Sequence, residues 1–108
     1  MPLREWLSRW RAGREARRLL ASAFRSPELL RGTSLEPRHA GRWVIQEHES
    51  RAGRVARIRF GIVRHPRPYR FSGQSHKVLE TYLYDVMAGS ITRLSGHNLT
   101  RSEGKDAD

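Results

Sequence analysis

The chain contains no cysteine, which excludes a disulfide framework, a thiolate metal site and a cysteine nucleophile. A reducing compartment fits that absence, and a cytoplasmic location is the expectation. Long hydrophobic runs are missing too: no apolar stretch approaches the roughly 18 to 20 residues that a membrane-spanning helix needs. No internal repeat stands out, and no catalytic or metal-binding motif is present. Lysine is also scarce, since nineteen of the twenty-one basic residues are arginine. GC-rich codon usage alone would enrich arginine, yet the physical consequence holds whatever its origin. Guanidinium groups pair with phosphates bidentately and stack on bases.

What the chain does carry is positive charge, and it is regional. The formal net charge is +10 over 108 residues. Residues 1–76 hold seventeen arginines against six glutamates, net +11, whereas residues 77–108 carry a net charge of −1. Such a field favours polyanionic partners, either nucleic acid or an anionic membrane surface. The length suits one domain with a modest core. The Arg-rich first 25 residues faintly suggest an organellar leader, but Glu5 and Glu15 interrupt them, and no apolar core suggests secretion.

Residues 3–24, "LREWLSRWRAGREARRLLASAF", read as a basic amphipathic helix. Leu3, Trp6, Leu7 and Trp10 follow the i, i+3, i+4, i+7 spacing of one apolar stripe. Leu20 and Phe24 continue an apolar face beyond Gly13, but Arg14 and Arg17 fall across the stripe of the first half, so a bend or change of register is expected there. Ser26-Pro27-Glu28 starts a short second helical turn through Leu30, ended by Gly32. The stretch 32–41, "GTSLEPRHAG", reads as a linker between this helical arm (1–31) and a β module (42–99). The tail 100–108 has too few apolar residues to order itself.

From Trp43 the period changes to two. "WVIQEHES" places Trp43, Ile45, Glu47 and Glu49 on one face and Val44, Gln46 and His48 on the other. After the turn "RAG", the segment "RVARIRFGIV" puts Ile58, Phe60 and Ile62 opposite Arg57 and Arg59, giving a hairpin of 43–49 with 54–63. Gly61 inside a strand signals a bulge or a close backbone approach. Pro66 and Pro68 make 64–68 a turn, followed by an edge strand around Tyr69 to Phe71. Residues 76–88 support a helix as well, with Val78, Leu79, Tyr82, Leu83, Val86 and Met87 on one side. The hairpin "YLYDV-MAG-SITRL" is preferred, and it is similar to those inside β-propeller blades. The expected fold is therefore α+β: an N-terminal helix packed on an antiparallel meander of four or five strands.

Two surfaces follow as candidate sites. Arg57, Arg59, Arg64, Arg67 and Arg70, with Tyr69 and Phe71 interleaved, combine guanidinium groups for phosphates with aromatic faces for bases. Arg11, Arg14 and Arg18 extend this set on the helix. The expected function is a nucleic-acid-binding accessory protein that contacts phosphate backbone more than sequence. The second surface is the Trp6/Trp10 stripe. Packing on the chain's own sheet is the favoured reading, and docking to a protein partner or an anionic membrane surface is the alternative. A third reading is a metal-independent ribonuclease, because His65, Arg67, Tyr69 and Arg70 supply acid–base and charge-stabilising groups close together, with His65 and Tyr69 as catalytic candidates. The order of helix then sheet, with basic charge, resembles the RelE/ParE-like toxin class in outline, and that resemblance extends to architecture alone. Neither metal nor cofactor is expected: the five histidines are scattered, and Glu47 and Glu49 point away from His48.

Overall fold

The computed structural model describes residues 3–64 and 78–95. One long helix, α1 (Leu3–Ala23), is followed by a single turn, α2 (Pro27–Leu30), and a 3-10 turn, Pro37–Gly41. Four strands complete the order: β1 (Trp43–Arg51), β2 (Arg54–Val63), β3 (Val78–Asp85) and β4 (Ser90–Ser95). They form an open antiparallel sheet in the order β1-β2-β3-β4, so the hairpin reading of 76–88 holds over Val78–Asp85. The expected strand around Tyr69 to Phe71 and the tail lie outside the described residues.

The helix packs on one face of the sheet, and each layer supplies what the other needs to exclude water. Ala16, Leu20 and Ala23 of α1 join Phe24, Leu30, Trp43, Ile58, Phe60 and Tyr82 in one core. Phe24 meets Phe60 edge to face at 6.0 Å, and Phe60 stacks on Tyr82 at 5.6 Å. Ser26 caps α2, its Oγ accepting from the Leu29 amide at 3.3 Å. The connection after α2 also enters the core, through buried Leu35. Tyr82 Oη donates to the Glu80 carboxylate and takes a hydrogen bond of 2.8 Å from Ser34 Oγ. Burial, and then that carboxylate, push the Tyr82 phenol above its ordinary pKa.

Three local features refine the sequence reading. α1 is a single element from Leu3 to Ala23, so Gly13, which costs about 1 kcal/mol relative to alanine, does not end it. β1 carries a bulge between Ile45 and Glu47. Trp43 and Ile45 therefore face the helix together with His48, and Glu47 and Glu49 face away; strict alternation had put Trp43 with the glutamates. The extra residue reverses the parity. Gly61 is a close approach: a Cβ there would stand 2.6 Å from a Val78 methyl.

Candidate nucleic-acid interface

The Trp6/Trp10 stripe does not pack on the sheet. Trp6 is 51% and Trp10 48% exposed, and Leu3 is exposed as well. The favoured expectation of intramolecular packing is thus corrected, and helix geometry supplies the reason. At about 100° per residue, the stripe of Leu3, Trp6 and Trp10 points roughly a third of a turn away from Ala16, Leu20 and Ala23. One continuous helix, Leu3–Ala23, does not aim both at the sheet. The larger core is made by the C-terminal half, and the tryptophans remain outside.

They form an ordered surface. The indoles of Trp6 and Trp10 lie nearly parallel, 11° apart with centroids at 6.5 Å, and the Arg14 guanidinium sits 4.9 Å from the Trp10 ring centre. Positions 6, 10 and 14 are successive i, i+4 neighbours on one helical face, so the series of two rings and a cation follows from helical spacing. Arg4, Arg9, Arg11, Arg17 and Arg18 are exposed around it. The ion pairs among the described residues include none of the arginines of α1.

The arginines of the sheet are arranged differently. Arg57 and Arg59 share the open face of the sheet, and each lies directly across from a glutamate of β1. Arg59 meets Glu47 at 2.8 Å and Arg57 meets Glu49 at 3.7 Å. Arg57 is also flanked in register by Asp85 of β3. Both pairs are about half exposed and contribute at most about 1 kcal/mol each, but they locally cancel the charge. Arg64 is exposed just past β2. His65, Arg67, Tyr69, Arg70 and Phe71 lie outside the described residues.

Arg51 and Arg54 were missed by the sequence reading. They face each other across the end of the β1–β2 hairpin, both exposed. Like charges directly opposite in a sheet are unfavourable, so this juxtaposition is conspicuous. The signal was available in "RAGR": a two-residue turn places its flanking residues opposite one another. Through Ser50 and Gly53 the hairpin tip borders a groove that Leu3, Arg4, Leu7 and Arg11 also line. The tip and the N-terminal half of α1 therefore adjoin, and the arginines of both stand outside the ion pairs among the described residues.

Of the histidines, His39 belongs to the 3-10 turn, where its Nδ1 accepts from the Glu36 amide at 2.9 Å. His48 lies on the helix side of β1. Among the described residues no three His, Asp or Glu side chains gather as a metal site, and no helix is long and apolar enough to cross a membrane. The chain matches no family model, no curated protein and no solved structure.

Proposed function

We propose that this protein is a nucleic-acid-binding accessory protein that holds the phosphate backbone, with the outer face of α1 as the principal contact and the hairpin tip beside it. One observation carries the reading: among the described residues Arg11, Arg14 and Arg18 stand exposed and outside every ion pair, whereas Arg57 and Arg59 are held by glutamates. Free guanidinium groups release counterions from a polyanion, while paired ones must first break a contact. The repulsion between Arg51 and Arg54 supports it, because a phosphate placed between them would relieve it.

The test is binding of labelled single-stranded RNA, single-stranded DNA and duplex DNA, followed by anisotropy across a salt series. Affinity should fall steeply with salt, with a slope of about 0.7 to 0.9 per phosphate neutralised. Replacing Arg11, Arg14 and Arg18 together by glutamine should flatten that slope by about 2 to 3. Replacing Arg57 and Arg59 should change it little. Absence of binding at low salt overturns the reading.

A second reading rests on the exposure of Leu3, Trp6 and Trp10. A basic helix with tryptophan on its apolar side also suits an anionic membrane surface. Vesicles containing phosphatidylserine, added in the same assay, separate the two.

A further inference from the structure

We infer that the Trp6–Trp10–Arg14 series is a base-stacking platform and that the nucleic acid held by α1 is single-stranded. This rests on the nucleic-acid reading above and adds what that reading leaves open, namely the form of the ligand. Phosphate contacts by themselves do not distinguish a duplex from a single strand. Exposed indoles do, because duplex bases are already stacked on one another, whereas a single strand offers unstacked faces that aromatic rings and guanidinium planes can cover.

The arrangement fits that role in three respects. The rings are half exposed and make no contribution to the buried core, so their apolar area is available to a ligand. The two indoles are held nearly parallel, and Trp10 is braced by Arg14, which reduces the entropy lost on binding. Arg18 continues the same i, i+4 line past Arg14, so phosphate-pairing groups follow directly on the base-stacking rings along one helix face. A membrane is the poorer fit for the same reason. The apolar stripe ends at Trp10, and Arg14 and Arg17 occupy the positions that would have to enter the acyl region next. Charge there is expensive unless it reaches the headgroups.

Indole fluorescence of the whole chain reports on this surface, because Trp43, the third tryptophan, is buried and supplies a constant background. Titration with oligothymidylate should quench the emission in step with binding, and affinity for it should exceed that for a duplex of equal charge. Trp6→Ala with Trp10→Ala should weaken single-strand binding by about fivefold or more per indole and leave duplex binding unchanged. Trp6→Phe with Trp10→Phe should restore most of the loss, with circular dichroism confirming that each variant folds. Equal affinity for single strand and duplex, or single-strand binding indifferent to the alanine pair, overturns the inference while the phosphate-backbone reading stands. So does quenching by phosphatidylserine vesicles without quenching by oligothymidylate. No binding to any oligonucleotide at low salt rejects both.

Discussion

The two arginine-bearing surfaces have similar sequence signatures and opposite electrostatics. On the open sheet face, Arg57 and Arg59 sit across from Glu49 and Glu47, with Asp85 on the other flank of Arg57. Two cations there meet three acids, and their charge is cancelled locally. On α1, Glu5 and Glu15 stand four residues from Arg9 and Arg11, the spacing that favours ion pairs on a helix, yet neither forms one among the described residues. Opposing Cβ atoms in the sheet and i, i+4 neighbours on a helix are about equally close. The sheet, however, sets an acid opposite each of these two arginines, whereas α1 has two glutamates for six arginines. An exposed helix leaves long side chains free to stay hydrated. A count of arginines therefore overstates the field of a sheet and describes that of a helix more faithfully.

The same division runs along α1 itself, and it gives the largest expected effect. Leu20→Ala should cost about 2 to 5 kcal/mol in urea unfolding, because Leu20 is fully buried. Trp6→Ala and Trp10→Ala should each cost only about 1 kcal/mol, the worth of the stack between the two rings and, for Trp10, of its contact with Arg14. A large loss at Trp6 would mean that the stripe is part of the core after all.

Gly61→Ala comes next, at about 1 to 3 kcal/mol, because the added methyl would overlap Val78. An unchanged unfolding midpoint would show that the sheet yields there.

A smaller effect separates charge from stability. Glu47→Gln with Glu49→Gln should change unfolding by no more than about 1 kcal/mol per pair. It should nevertheless raise affinity for oligonucleotides and steepen the salt slope, since two guanidinium groups are freed. Unaltered affinity would show that the open face plays no part even when its charge is released.

The smallest effect concerns the 3-10 turn. Burial, and then the Arg38 guanidinium, hold the His39 imidazole below its ordinary pKa of 6.5, against an opposing pull from Glu36. Glu36 itself is kept ionised by its hydrogen bond from Arg38 at 2.7 Å. Because the folded His39 binds protons less readily than the unfolded one, its contribution is complete above about pH 6.5 and lost as pH falls through the lowered value. Exchange protection of the Glu36 amide, which donates to His39 Nδ1, should therefore decline on acidification. Protection that stays level from about pH 8 to pH 5 would contradict this.

Much of the fold was legible in the residues. The period-two pattern of Ile58, Phe60 and Ile62 against Arg57 and Arg59 located β2 and its faces, since alternation is a property of the extended backbone itself. Ser26-Pro27 located α2, and Gly61 announced its close approach. The bulge in β1 was not legible, because one extra residue reverses the facing of every side chain before it and nothing in "WVIQEHES" marks where that residue falls. Nor could strand and helix be separated at Val78–Asp85 until strands on either side were seen to pair with it.

The candidate site divides in the same way. Sequence by itself determined the basic character, its confinement to the first 76 residues and the i, i+4 spacing that lines up Trp6, Trp10 and Arg14, because these depend only on composition and helical repeat. Only the tertiary structure decided which charges are free and which apolar stripe is covered. Pairing across strands neutralised Arg57 and Arg59, and the side of α1 that turns to the sheet buried Leu20 and left Trp6 and Trp10 outside. Both outcomes depend on neighbours far apart in the chain, and local patterning carries no record of them.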